Sequence, residues 1–214
     1  METNKLAFIQ IKDEQKTYSG ANQYWLPNKF HAVSGCGPTT AAEILAYLSD
    51  RYPESCGDVY RCGKPVFDRE AFISFITHVR EYVTPGLMGL TDMDFYERRL
   101  IAFALTRGAS LDAEQIDRSL PPEKAFEIAA EVIDSGLPLA LLILRNPYND
   151  IDDYTWHWMT AIGYDRSSLD LIISTHGREH RLDFRHVWHN DDGYFAGLVY
   201  FWPKEALMCS MSIS

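Results

Sequence analysis

At Pro138 the chain changes its hydrophobic period, and that switch limits the folds open to it. Before this point apolar residues recur at helical spacing, which predicts helices from Cys36 onward and over 68–83, 93–106 and 123–134. In the first of these, Ile44, Leu45 and Leu48 fall on one face, as in an amphipathic helix. Gly86, Gly108 and Gly136 stand near helix ends, and Pro121-Pro122 suits a helix start. Beyond Pro138 the apolar runs have strand length: 139–144, 157–164, 169–174, 179–184 and 194–202. Short turns such as 165–168 join them, so consecutive strands run antiparallel. One earlier strand is expected over 6–11. A helical part followed by a β part defines an α+β chain. At 214 residues, without repeats or a Pro/Ser-rich linker, it reads as one domain. Its helical lobe covers about 20–136, and its β lobe 137–203 plus the strand 6–11.

Composition excludes several classes of function. Hydrophobic residues make up 46% and charged residues 23%, as in ordinary globular proteins. A net charge of −10 argues against nucleic-acid binding, which calls for a basic face. The start Met1-Glu2-Thr3-Asn4-Lys5-Leu6 has no secretory pattern, and the apolar run 137–144 is too short to span a bilayer. Four cysteines make no disulfide framework. Cys56 and Cys62 match no common zinc spacing and read as free thiols. The expected setting is a reducing cytoplasm.

Chemistry concentrates at Ser34-Gly35-Cys36-Gly37-Pro38-Thr39-Thr40, where a glycine-rich turn enters a helix. A thiol there meets unpaired amide hydrogens and the positive end of the helix dipole, which favour a thiolate. Pro38 suits the first helical turn, and Gly35 and Gly37 are expected to leave space for a substrate backbone. A cysteine nucleophile needs a base with a pKa near working pH. Of the seven histidines, His157 has the best setting, at the mouth of a central strand just after the polar stretch 149–155.

Gly35-Cys36-Gly37-Pro38-Thr39 entering a helix, with His157-Trp158-Met159-Thr160-Ala161-Ile162-Gly163-Tyr164 on a strand, resembles the papain-like cysteine peptidases. Within that group the chain is most similar to the C39-like peptidases of bacteria. The histidine follows the cysteine by about 120 residues, near the papain-type range of about 130–150. Gly136-Leu137-Pro138-Leu139 before a strand adds to the likeness. The resemblance implies a helical lobe carrying Cys36, a β lobe carrying His157, a peptide or protein substrate and no cofactor or metal. It also implies an Asp or Asn that orients the histidine. Matching Ser174-Thr175-His176-Gly177 to the family's Asn-Ser-Trp-Gly motif places Ser174 there, an oxygen without charge. Asp165 and Asp183 stand nearby but do not match the motif's spacing. A side-chain amide upstream of the cysteine normally helps hold the oxyanion. The usual position, six residues upstream, is Phe30, so Gln23 is the candidate, with Asn28 next.

The function implied is a thiol-dependent hydrolase that cleaves peptide or related amide bonds through an acyl-enzyme. The alternative is a catalytically weak or inactive papain-like protein that binds peptides. A zinc site built from His176, His180, His186 and His189 with Asp191 and Asp192 lacks any recognised spacing. Tyr24, Trp25, Trp156, Trp158 and Trp188 lie near the motifs, as cleft lining or as core. The acidic stretch 149–153 reads as a solvated loop or a rim that favours basic substrates.

Overall fold

The computed structural model describes residues 3–60, 66–86, 89–191 and 193–204; Cys62 and Asp192 lie outside them. The N-terminal segment supplies three short strands, β1 (Thr3–Lys5), β2 (Gln10–Lys12) and β3 (Thr17–Ser19), instead of one strand over 6–11. Leu6, Phe8 and Ile9 are buried while the chain crosses from one sheet to another, with Phe8 N–H closing a tight turn onto Leu6. That apolar run marks a crossing through the core.

A single 3-10 turn at Gln23–Trp25 leads into α1 (Lys29–Val33) and then α2 (Cys36–Arg51). Every residue of α2 from Cys36 to Ser49 is buried, so it is a central helix and not the one-sided amphipathic helix expected. Its small residues explain this: Ala41, Ala42 and Ala46 are fully buried and let neighbours approach closely. The short α3 (Pro53–Cys56) and β4 (Val66–Asp68) precede α4 (Arg69–Arg80). Asp68 caps α4 by accepting from Ala71 N–H, and α4 stops three residues before the expected end. Next come α5 (Met93–Thr106), capped by Asp92, and the strand β5 (Leu111–Gln115). The helix α6 (Pro122–Asp134) follows with proline in its first turn.

Downstream lie β6 (Leu139–Arg145), β7 (His157–Asp165), β8 (Asp170–Thr175), β9 (Arg178–Asp183), α7 (Phe184–Val187) and β10 (Phe195–Pro203). Among the described residues they form one antiparallel sheet in the order β5-β10-β6-β7-β8-β9. Strand β1 pairs with the far end of β7, at Gly163–Asp165, beyond the stretch that β6 covers. A smaller sheet, β3-β2-β4, joins β2 and β4 in parallel. The architecture is α+β, with α2 packed between the large sheet and the helices α4 and α5. No helix among the described residues is long and apolar enough to cross a membrane.

Gly163 makes the β1 junction possible. A Cβ there would lie 2.7 Å from the Asn4 carbonyl oxygen and 3.0 Å from Lys5 Cα. Gly163→Ala is therefore expected to push β1 off β7 and lower stability by about 1–3 kcal/mol, the usual range for overpacking. Denaturant unfolding measures the loss, and faster hydrogen exchange at Leu6, whose N–H donates to the Ile162 carbonyl, locates it.

Candidate active site

Cys36 opens α2, with Gly35 as its N-cap and no side chain capping that end. The glycine is needed for packing: a Cβ on Gly35 would lie 2.6 Å from the His31 carbonyl oxygen and 3.1 Å from Gln23 Cβ. At Gly37 it would lie 2.9 Å from Leu90 Cδ2. These glycines admit the protein's own side chains, whereas the sequence suggested room for a substrate. Gln23 is thereby seated against the turn that presents the thiol.

One cavity is lined by Cys36, His157, Gln23, Ser174, Thr175 and Glu43, among others. It measures about 10 Å³, roughly the room one water needs. Cys36 and His157 are both buried. Burial pushes the thiol of Cys36 above its ordinary value. The backbone N–H groups of Trp158, Gly37 and Cys36 itself, and the Arg80 guanidinium, pull the other way without reversing it. The expectation of a helix-stabilised resting thiolate is corrected on this point. The amides are in place, but desolvation outweighs them.

His157 begins β7, and its Nε2 meets Thr175 Oγ1 at 2.7 Å. Nδ1 is then the nitrogen left for a second partner. Burial drives its pKa down to about 3, with the neighbouring His176 adding to the effect. That neighbour covers the ring: His176 stacks on His157 at 4.8 Å, and Tyr24 stacks on His176 at 5.4 Å. His176 sits in the turn after β8 with φ of 52°, a left-handed backbone few side chains adopt. Asn22 Nδ2 donates to its carbonyl, and Gly177 N–H donates to Ala21.

Ser174 is not the group at the imidazole. It pairs across the sheet with Thr160, donates to the Ser19 carbonyl at 3.1 Å, and meets the buried Glu43 carboxyl. Side chains alternate along a strand, so a one-residue difference moves the contact from Ser174 to Thr175. Gln23 is buried and donates through Nε2 to the Ala32 carbonyl at 2.8 Å, with the Val33 carbonyl at 3.5 Å. Asn28 caps α1, accepting from Phe30 and His31 N–H. Sequence reasoning passed over Thr175 and Glu43, and weighed His176 only as a zinc ligand. Thr175 and His176 stood inside the motif, and Glu43 was visible as an acid in the middle of the apolar and small residues of α2.

Of the aromatics, Trp158 is core, stacked on Tyr96 at 4.0 Å, and Trp188 stacks on Phe184. Tyr24 and Trp156 are exposed. The remaining histidines scatter: His180 meets the Tyr154 hydroxyl, while His186 pairs with Asp150 and stacks on Tyr148. Among the described residues no three His, Cys, Asp or Glu groups are disposed to hold a metal ion. Compared with known proteins, the chain matches no protein-family model, and no curated protein matches it.

Because His157 is neutral when folded, it must lose stabilisation as acid protonates the unfolded chain. Its folded value lies below the ordinary one near 6.5, so stability is retained above that pH and falls from there toward about 3. The expected slope is on the order of 1 kcal/mol per pH unit. Denaturant titrations at several pH values should show His157→Gln flattening it. In His176→Ala, NMR titration should find the His157 pKa raised, because the cover is gone.

Proposed function

We propose that this chain is a thiol-dependent hydrolase of papain-like arrangement, most similar to the C39-like cysteine peptidases, acting on peptide or related amide bonds. The observation that carries this reading is the shared cavity at which Cys36 on α2, His157 on β7 and the Gln23 amide meet. In this reading His157 donates Nε2–H to Thr175 Oγ1, which fixes Nδ1 as the base.

Both reacting groups start neutral, so the thiol proton passes to Nδ1 as sulfur attacks the carbonyl carbon. The carbonyl electron pair moves onto oxygen, and the Cys36 N–H receives that charge together with the Gln23 Nε2 amide, which gives up its longer contact to the Val33 carbonyl. The His157 imidazolium then protonates the leaving nitrogen as the carbon–nitrogen bond breaks. Water attacks the thioester, giving its proton to His157, and the acid leaves as the thiol is restored. Thr175 orients the ring without adding negative charge, so the imidazolium is less stabilised than with Asp. The segments beside the site carry exposed apolar side chains: Phe30 at 87%, Val33 at 76%, Tyr24 at 62% and Trp156 at 48% exposure. Such a rim suits apolar side chains of a peptide. A reducing compartment suits the free thiols Cys36 and Cys56.

One observation favours the second reading, a weak or inactive peptide-binding protein: the cavity has room for about one water and both groups rest uncharged. The two readings separate with an electrophilic cysteine-peptidase probe and mass-spectrometric mapping. Hydrolysis requires labelling at Cys36 that is lost in Cys36→Ala and slowed at least tenfold in His157→Ala. Equal labelling of wild type and His157→Ala favours the binding protein. Thr175→Val is expected to slow labelling about tenfold, the worth of one hydrogen bond, and Thr175→Ser to restore it.

A further inference from the structure

Glu43 lies seven residues beyond Cys36 on α2, is completely buried, and lines the same cavity. The attack and release steps proposed above make no use of it. Its Oε1 accepts from Ala21 N–H at 2.6 Å, and its Oε2 accepts from the Thr160 hydroxyl. Ser174 provides a third contact, and its own hydrogen points to the Ser19 carbonyl. A carboxylate would need that hydrogen turned toward itself, leaving Ser19 unpaired at this contact. A protonated carboxyl instead donates to Ser174 Oγ, which goes on donating to Ser19, and every group is satisfied. The chain passes tightly here. Gly20 has φ of 74°, and a Cβ on it would fall 2.1 Å from Ser174 Oγ and 2.5 Å from Oε1.

We propose that Glu43 is a positioning residue that keeps its proton at neutral pH and locks the Gly20–Gln23 loop to the cysteine helix and to β7 and β8. The lock fixes the Gln23 amide and the Thr160–Ser174 pair relative to Cys36; its catalytic meaning rests on the hydrolase reading, the lock itself does not. Burial supports the protonated form, lifting the Glu43 pKa to about 8. The titratable groups that face it are Cys36 from its own helix and Tyr96 from α5. His157 from β7 and His176 from the turn after β8 also line the cavity, and among the described residues no lysine or arginine does.

The sign follows from linkage. Above pH 6.5 an unfolded glutamate is ionised while the folded one keeps its proton, so raising the pH favours unfolding until about 8. His157 titrates alike in wild type and Glu43→Gln, so its contribution cancels in their ratio. Denaturant unfolding of the full chain, wild type against Glu43→Gln, tests the proton. The wild-type folding constant should fall about tenfold per pH unit relative to Glu43→Gln between pH 6.5 and 8, then level off. A ratio that stays constant across this range overturns the proposal.

Iodoacetamide labelling of Cys36 at pH 7 tests the lock. Glu43→Ala should change the rate at least tenfold and Glu43→Gln should keep the wild-type rate; a wild-type rate in both variants overturns the positioning role. If Glu43→Ala does not fold, the pH comparison decides alone. Neither measurement requires hydrolysis, so failure of the hydrolase reading would not be mistaken for failure of the lock.

Discussion

Burial of α2 on every face through its first fourteen residues is the constraint around which the rest is arranged. A helix enclosed from Cys36 to Ser49 must meet neighbours on every side, and each neighbour brings part of the candidate site. Strand β7 brings His157 and Thr160, β8 brings Ser174 and Thr175, and the loop after β3 brings Gln23. The same enclosure sets the electrostatics. Desolvation raises the thiol of Cys36 and the carboxyl of Glu43 and depresses the imidazole of His157, so all three rest without charge. Under the proposed hydrolase reading, the thiol and imidazole would transfer a proton during attack and not begin as an ion pair.

The sequence made the regular elements readable wherever one periodicity ran long enough. The helix over Met93–Thr106 and the five strands after Pro138 stand at or within a residue or two of the expected bounds. What escaped were elements held by distant pairing. Strand β5 is largely polar and exists because β10, far along the chain, offers it a backbone edge. The N-terminal strands are three residues each, too short for any alternation to be visible.

The site was legible by residue type more than by contact. Cysteine at a helix start and histidine at a strand start can be found from local patterns. Which hydroxyl reaches the imidazole depends on register, and matching letters to a motif carries no register. Thr160 opposite Ser174 turns that pair toward Glu43 and leaves Thr175 for His157. Tertiary packing, which local patterns do not contain, also reverses the thiol's expected shift and fills the space above Gly35 and Gly37.

The placement of β1 has a bearing on how the chain is assembled. Thr3–Lys5 is made early, yet its partner Gly163–Asp165 lies some 160 residues later, and β5 likewise waits for β10. Closing such long loops costs entropy before any contact repays it, which slows folding. During synthesis the upper edge of β7 therefore stays open until an N-terminal segment that left the ribosome long before returns to it. The seam between β1 and β7 is thus a contact that joins the two ends of a long loop, and its closure carries the entropy of that loop.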